Sequence, residues 1–334
     1  MLGYERVKKA VEFSCPDRMP LDCSDRCSKL FGWRDCVRVA CFPDRESLGD
    51  GREKDEWGVV RQRPPEDTGI ENEGQVVEWP LIDASLEELK KYPFPDSRNK
   101  KRYSSLKRKL AREDFKGKYV LFENFYGIFQ KVWELRGEEK FFLDFYDNKE
   151  FLHKVIRSMA DFQLGALESL KPYAGQIHGF HMGDDLGSQN APLISPKLFR
   201  EFLKPHYKEI IDYAHSLGMH VWLHSDGKIN DLIDEFIDIG LDALEINSPN
   251  MLGIDEVSKR FRGKICFMVC VDIQKTLPKG NKDKIEAEVK ELVEKWGTEK
   301  GGIVALDYYD WKGIGVNEEK VKMSLDAFLK HGKY

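Results

Sequence analysis

Two residues with chemically useful side chains, His224 and Asp226, lie two positions apart at the end of the run HVWLHSDG. The run has the pattern of a buried β-strand, and alternate side chains of a strand share a face, so both groups can reach one point. There they could hold one metal ion. They could equally act without metal, with the imidazole titrating near neutrality and the carboxylate orienting it. The structural alternative is a core histidine that is hydrogen-bonded to a neighbouring carboxylate.

A pair of adjacent acids, Asp184 and Asp185, follows a second apolar run in the segment HMGDDLGS. In an extended segment these side chains point to opposite faces, so at most one of them enters a shared pocket. Repulsion between neighbouring carboxylates raises one pKa into a range that is useful for proton transfer. The alternative is that one of the two caps the segment before Ser188.

Polar residues end other apolar runs as well. Glu123 and Asn124 close one run, Asn247 another, Asp272 a third, and residues 307–310 (DYYD) a fourth. A single Asp in such a place is typical of a helix cap or a turn. Its repetition at the ends of successive runs predicts an acidic pocket that contains one imidazole.

The candidate residues fall into three hypothetical roles. The predicted catalytic residues are Asp184, His224 and Asp226. The predicted substrate-binding residues are Glu123, Asn124, Tyr126, His181, Asp185, Asn247 and Tyr309. The predicted metal ligands are His224, Asp226 and Asp307.

The elements that must position these residues alternate between strand and helix. Strand-like runs begin near Gln176, His220, Asp242, Lys264 and Gly302. Their spacing of about 20 to 45 residues is typical of βα units, which form a parallel sheet. In such α/β folds the side chains at the carboxyl ends of the strands converge on one crevice.

The first half of the chain is less regular. Residues 23–100 contain a cysteine-bearing segment without a clear period, then short strands and a charged, proline-containing loop. We expect this stretch to be an irregular excursion over the mouth of a single domain that spans residues 1–334. In the second half, Ser195 and Gly218 bracket a helix, in which Pro205 predicts a kink.

Composition excludes several classes of function. The 334 residues are 41% hydrophobic and 33% charged, with a formal net charge of −5, which gives no electrostatic basis for binding nucleic acid. The N-terminal segment lacks the apolar core of a signal peptide, and no run approaches the roughly 18 apolar residues that span a bilayer. We therefore expect a cytoplasmic protein with no membrane partner. The seven cysteines are expected to be reduced thiols. No glycine-rich phosphate loop is present in the sequence.

Beyond these patterns, the chain resembles the uroporphyrinogen decarboxylase superfamily, and in particular its branch of corrinoid-dependent methyltransferases. The resemblance covers nearly the whole length and implies a (β/α)8 TIM barrel with its site at the carboxyl ends of the strands. The segments that carry it are ERVKKAVEFSCPDRMPL, DEWGVV, LEELKKYPFPD, GIFQKVWELRGEEKFFLDF, DDLGSQNAPLISPKLFREFLKPHYKEII, HSDG and VDIQKTLP.

Two departures from the family pattern bear on function. The decarboxylases have an arginine-rich segment after the first strand, whereas this chain has LDCSDRCSKLFGW with Arg26 alone, so a polyanionic tetrapyrrole is a poor substrate. The zinc-dependent methyltransferases of the branch share His224 but have a Cys where Asp226 stands and another near residues 307–310. Carboxylate in place of thiolate makes a harder site, which is weaker for zinc and open to other divalent ions or to none.

The leading hypothesis is a methyltransferase that moves a methyl group between a small substrate and a corrinoid protein, with a divalent metal as a candidate cofactor. The methyl donor would be a methoxy or methylamino compound whose departure is assisted by Asp184, Asp226 or a metal at His224. The first alternative is a decarboxylase of a carboxylate other than a tetrapyrrole. The second is a non-catalytic relative that binds a ligand without converting it.

Overall fold

Strands and helices alternate through most of the chain in the computed structural model, which describes residues 1–32, 34–65 and 74–333. In chain order the strands are β1 (Leu21–Asp22), β2 (Cys36–Ala40), β3 (Glu46–Gly49), β4 (Arg52–Lys54), β5 (Val60–Gln62), β6 (Gln75–Glu78), β7 (Tyr119–Glu123), β8 (Gly179–Gly183), β9 (His220–His224), β10 (Ala243–Ile246), β11 (Cys266–Val269) and β12 (Ile303–Leu306). The helices are α1 (Gly3–Val11), α2 (Asp25–Phe31), α3 (Leu86–Leu89), α4 (Leu106–Leu110), α5 (Gln130–Arg136), α6 (Glu138–Asp147), α7 (Lys149–Leu170), α8 (Pro196–Leu198), α9 (Lys204–Ser216), α10 (Asn230–Asp238), α11 (Pro249–Leu252), α12 (Ile254–Phe261), α13 (Thr276–Lys279), α14 (Lys282–Trp296) and α15 (Glu318–His331).

Eight of these strands form one parallel sheet in the order β1-β12-β11-β10-β9-β8-β7-β2. The two edge strands meet at Asp35, whose backbone N–H donates to the Leu21 carbonyl at 2.8 Å and whose carboxylate accepts from the Leu21 N–H at 2.9 Å. Sequence order follows spatial order around the sheet, and helices separate the strands. The fold is therefore the (β/α)8 TIM barrel that was expected.

Most residues of the barrel strands are apolar on both faces, because helices cover the outside while side chains fill the inside. Strand β12 reads IVAL, and all four of its residues are buried. Strand β7, Tyr119–Glu123, ends at the residue that closes the apolar run in the sequence. The carboxyl ends of the strands, which define the mouth of the barrel, carry the polar residues singled out above.

The irregular excursion is shorter than predicted. Residues Cys36–Ala40 form the second barrel strand, so the excursion begins after Ala40 instead of at residue 23. It contains the antiparallel sheet β3-β4-β5-β6, and residues 66–73 within it lie outside the described residues. The buried indole of Trp57 contacts the ring of Tyr126 in the loop after β7, with centroids 5.6 Å apart. The small sheet therefore packs at the mouth end of the barrel.

The helix predicted between Ser195 and Gly218 has a local irregularity where Pro205 predicted a kink. A π-helical turn, Phe199–Leu203, connects α8 to α9 immediately before that proline. Proline lacks the N–H that would bond to the preceding turn, and a π turn is one way for a helix to accommodate this. Tyr207 of α9 donates to the carboxylate of Asp184, the residue that follows β8. None of the helices in the described ranges has the length and apolar character of a membrane-spanning segment.

Candidate functional site

Three side chains meet at the mouth of the barrel: Asp185, His224 and Asp226. His224 Nε2 lies 3.5 Å from Asp185 Oδ1 and 3.7 Å from Asp226 Oδ2, and the three ligand atoms all lie within 4.8 Å of one another. The imidazole is buried, whereas the two carboxylates are partly exposed to the mouth. This mouth cluster brings the predicted His224 and Asp226 together with Asp185, which had been assigned to substrate binding.

Parallel pairing of β8 with β9 brings the three residues into contact. Gly183 is opposite His224 in the register, and the Asp184 N–H donates to the His224 carbonyl at 2.9 Å. The pairing continues beyond the strands, where the Asp226 N–H donates to Asp185 Oδ1 at 2.9 Å. Gly227 has a φ of 87°, and a Cβ there would lie 2.2 Å from the backbone of Gly187. Glycine is required at this crossing because any side chain would separate the two loops.

The other acid of the pair, Asp184, points away from the mouth cluster and is fully buried. Its carboxylate accepts from the backbone N–H groups of Ile128, Phe129 and Gln130 at 2.6–3.1 Å and from the Tyr207 hydroxyl. Burial raises the pKa of Asp184 to about 6, and the four donors oppose that shift, so the group is ionised at pH 7. Its oxygens cap the start of α5, which is a positioning role in contrast to the predicted catalytic one.

Beneath the mouth cluster, charged side chains fill one layer of the barrel interior. Arg38 contacts Asp22 at 2.5 Å, Glu123 at 2.9 Å and Glu245 at 3.4 Å. His181 is fully buried between two of these acids, with Nε2 3.2 Å from Glu245 and Nδ1 3.8 Å from Glu123. Barrel layers of this kind are usually made of Val, Ile and Leu. A layer of ionised groups is costly to bury, which marks it as a candidate functional feature.

The charges of this layer shift the pKa values of its acids. Burial raises the pKa of Glu123, but contact with His181 and the charge of Arg38 outweigh it and lower the value to about 2. For Glu245, burial is likewise outweighed by Arg38 and by the two neighbouring imidazoles, and the pKa falls well below its usual value. Burial lowers the pKa of His224, but the negative charges of Asp226 and Glu245 raise it well above the usual value. The carboxylates of Glu123 and Glu245 therefore stay ionised at neutral pH.

Glu245 links the charged layer to the mouth cluster and was not among the predicted residues. Its Oε1 lies 3.3 Å from His224 Nδ1, on the side of the ring opposite to the two mouth carboxylates. Strand β10 presents it directly beside His224 in the register. A single polar residue within the otherwise apolar run ALEI was the available signal in the sequence.

Phe125 is a second site residue that was not predicted. Its ring stacks on the imidazole of His224 with centroids 5.7 Å apart and an angle of 25°, and it is 42% exposed. A Cβ on Gly183 would lie 2.5 Å from this ring, so glycine at that position leaves room for it. Nothing in the sequence distinguishes Phe125 from the other aromatic residues. Its position over the site follows from the fold alone.

The remaining predicted residues lie outside the mouth cluster. Asn124 donates to Gln163 on α7 at 2.6 Å, and the Tyr126 ring packs against Trp57 in the excursion. The backbone carbonyl and the side-chain oxygen of Asn247 accept from the Cys270 thiol. Tyr309 is 64% exposed on the loop after β12.

Asp307, a predicted metal ligand, binds Ser24 and is not part of the mouth cluster. Its two carboxylate oxygens accept from the backbone N–H and the hydroxyl of Ser24 at 2.7 and 2.6 Å. Ser24 in turn caps α2. Among the described residues, the third side chain beside His224 and Asp226 is Asp185, whereas the sequence predicted Asp307 as the third metal ligand. The side chain of Arg26, on the same helix, lies outside the described part of the structure.

The mouth cluster has the composition and spacing of a divalent metal site. Bonds of about 2.0–2.2 Å from a tetrahedral metal put ligand atoms roughly 3.4 Å apart, close to the 3.5 and 3.7 Å observed. Asp226 Oδ1 is buried and has no hydrogen-bond partner in the described ranges, which leaves it available as a ligand. One imidazole and two carboxylates favour harder divalent ions more than a thiolate site does. The donor set therefore fits a metal.

Comparisons with known proteins agree with this architecture. The family model described as uroporphyrinogen decarboxylase (URO-D) matches residues 68–309. A solved methyltransferase from Methanosarcina mazei is similar over 99% of both chains, with a TM-score of 0.64 and 17% identity. A D-psicose 3-epimerase from Clostridium cellulolyticum H10 is 11% identical over 92% of this chain and 90% of its own, with a TM-score of 0.43. No curated protein matches the sequence.

The family model spans more than half of the chain, and the barrel closes with the strand order that the resemblance implied. The site lies at the carboxyl ends of the strands, as expected for such a barrel. The chain belongs to the uroporphyrinogen decarboxylase family.

Proposed function

We propose that this protein is a methyltransferase that moves a methyl group between a small methoxy or methylamino compound and the cobalt of a separate corrinoid protein. The observation that carries the proposal is the mouth cluster, where Asp185, His224 and Asp226 converge as hard ligands at the open end of the barrel. The similarity to a methyltransferase from Methanosarcina mazei supports this class of reaction. Transfer to a partner's cobalt suits a site that is open to the surface.

The mouth cluster and Phe125 would have different roles in this reaction. Asp185, His224 and Asp226 would hold a divalent cation, which supplies Lewis acidity toward the oxygen or nitrogen that loses its methyl group. That bond breaks with its electron pair on the leaving atom, while cobalt(I) supplies the pair for the new bond to carbon. Phe125 covers one face of His224 and offers an apolar surface to the non-reacting part of the substrate.

Charge argues against a tetrapyrrole decarboxylase. Binding many carboxylates requires free cations, yet Arg38, which lies inside the barrel, is already paired with three carboxylates. Asp185 and Asp226 add negative charge at the mouth above it. A substrate with several carboxylates would be repelled from this pocket.

The proposal is tested by mixing the metal-loaded protein with a cobalt(I) corrinoid protein and a panel of methoxy and methylamino donors. We expect the absorption spectrum of methylcobalt to appear with at least one donor, and to be lost in His224→Ala. Carbon dioxide release from a panel of simple carboxylates is measured in parallel. Carbon dioxide without any methylcobalt would establish the decarboxylase instead, and neither product from any compound would indicate a binding protein.

A further inference from the structure

A groove on the rim of the barrel lies beside the mouth cluster and is built differently from it. Its volume is about 380 Å³, and it is formed by the loops that follow the four consecutive strands β8, β9, β10 and β11. We call it the rim groove. The polar side chains that line it and could donate hydrogen bonds belong to Gln189, Asn190, Lys228, Asn250, Gln274 and Lys275.

The rim groove reverses the charge of the mouth. The side chains that line it include two ammonium groups, those of Lys228 and Lys275, and one carboxylate, that of Asp272. That carboxylate already accepts from the backbone N–H groups of Gln274 at 3.0 Å and Lys275 at 2.8 Å. Lys228 approaches Glu256 only at 3.9 Å, and Lys275 has no ion pair within the described ranges. The groove therefore presents positive charge beside a mouth that is otherwise acidic.

Its neutral side chains are also available to a ligand. The side-chain amides of Gln189, Asn190 and Gln274 make no hydrogen bond to another described residue, although each of them carries two N–H donors. Small-molecule sites typically combine a cavity of about 300–1,000 Å³ with a few convergent polar groups. The combination of amide donors with two ammonium groups matches an anionic group that has two or three oxygens.

The rim groove and the mouth cluster share a rigid wall. Lys228 is two residues beyond Asp226, and its backbone N–H donates to the Ser188 carbonyl at 2.8 Å, next to Gln189. The close crossing of Gly187 and Gly227 fixes the two loops against each other between the groove and the cluster. A small molecule could therefore place one end in each.

We infer that the rim groove binds the anionic group, a carboxylate or a phosphate, of a small substrate whose reacting end lies at Asp185, His224 and Asp226. That the substrate is a methyl donor or acceptor rests on the proposed function. Anion binding by the groove does not rest on it. One anionic group is also consistent with the exclusion of tetrapyrroles, because the groove has room and charge for one such group.

The test uses the full-length protein treated with a chelator, so that no metal at the mouth cluster contributes to anion binding. Inorganic phosphate and acetate are titrated separately by calorimetry at constant ionic strength, with chloride as the balancing anion. We expect saturable binding of at least one of them at a single site with a Kd of about 1–20 mM. The stronger of the two identifies the anionic group.

Variants locate the site. Lys228→Gln and Lys275→Gln should each weaken binding about threefold, and the double variant about tenfold, since these are exposed charge interactions at separate positions. Lys279→Gln, an exposed lysine of the same segment that does not line the groove, should bind like the wild type. Unchanged binding in the double variant, or no saturation by either anion, would overturn the inference. Neither result depends on methyl transfer, so failure of the proposed function would be recognised separately in the cobalt assay.

Discussion

At the scale of a single residue, Asp226 is the side chain on which the ion preference of the proposed metal site would depend. The family resemblance of the sequence implied a cysteine at this position. The Asp226 Oδ1 atom is buried without a hydrogen-bond partner in the described structure. Its Oδ2 lies 3.7 Å from His224 Nε2, a ligand-to-ligand separation. Thiolate prefers zinc, whereas carboxylate also accepts harder ions such as Mn²⁺ and Mg²⁺.

This difference predicts the effect of Asp226→Cys. The variant should bind Zn²⁺ about tenfold or more tightly relative to Mn²⁺ than the wild type does, because one hard ligand becomes soft. Competition of each ion with a chromophoric chelator measures the ratio. Asp226→Ser, which supplies a weaker ligand of similar size to Cys, should lose affinity for both ions. An unchanged ratio in Asp226→Cys would mean that residue 226 is not a ligand.

At the scale of elements, the neighbouring acids after β8 have different structural roles. Asp184 holds the start of α5 through three backbone N–H groups and holds α9 through Tyr207. Asp185 contacts the mouth and accepts one backbone N–H, that of Asp226. A Cβ on Gly127 would lie 2.0 Å from the Asp184 carboxylate, so the loop before α5 fits only because glycine is there.

Matched amide variants separate these two roles. Asp184→Asn should lower the free energy of unfolding by about 2–4 kcal/mol, because an amide replaces a buried carboxylate that accepts four hydrogen bonds. Asp185→Asn should change it by less than about 1 kcal/mol, since this side chain is partly exposed. Urea denaturation monitored by circular dichroism gives both values. Equal losses in the two variants would contradict the assignment.

A cluster of buried ion pairs attaches the small antiparallel sheet to the barrel. Asp55 and Arg61 on the excursion contact Lys131 and Glu134 on α5, with distances of 2.5–3.2 Å. All four side chains are largely buried. The cluster therefore depends on complete pairing, since an isolated charge in this position is costly.

Removal of one partner tests that dependence. Lys131→Met should lower the free energy of unfolding by about 3–5 kcal/mol, because it leaves two carboxylates with less compensation. Adding Glu134→Leu should restore part of the loss, since it removes one of those carboxylates. Denaturation of the wild type, both single variants and the double variant gives the coupling energy. Strict additivity in this cycle would show that the two side chains do not interact.

At the scale of the whole molecule, the two ends of the barrel differ in the residues that they carry. The carboxyl ends of the strands carry the mouth cluster and the rim groove, whereas the amino ends carry a packed group of aromatic and imidazole rings. His178, just before β8, stacks on Tyr4 and accepts the Val120 N–H through Nδ1 at 2.9 Å. Burial, with help from the neighbouring His220 and Lys8, lowers the pKa of His178 to about 4.

This shift predicts a pH-dependent contribution to stability. The pKa of His178 is the ordinary 6.5 in the unfolded chain and about 4 in the folded protein. Its contribution to stability is therefore complete above pH 6.5 and is lost as the pH falls toward 4. The stability advantage of the wild type over His178→Gln should shrink by about 1–2 kcal/mol between about pH 7.5 and pH 5. Glutamine keeps an acceptor for the Val120 N–H but cannot be protonated. Urea denaturation of both proteins at the two pH values measures the difference, which would stay constant if His178 were protonated in the folded state.

The sequence by itself determined the fold class and the end of the barrel at which the candidate site lies. Apolar runs such as HVWLH and IVAL fold as buried strands by their own composition, and parallel strands must carry their following loops at one end. His224 ends β9 and Asp226 follows it two residues later. Their meeting is therefore local and could be predicted.

Only the tertiary structure decided which other side chains join them. Asp184 and Asp185 are equivalent by type and by position in the sequence, and their roles differ because one faces α5 and the other faces β9. The sequence suggests Asp307 as a metal ligand. In the fold, Ser24, 283 residues earlier in the chain, donates hydrogen bonds to both of its carboxylate oxygens. Glu245 and Phe125 reach His224 only through the register of neighbouring strands and the course of a loop. Contacts between residues far apart in sequence depend on how the barrel closes, and no local pattern encodes that.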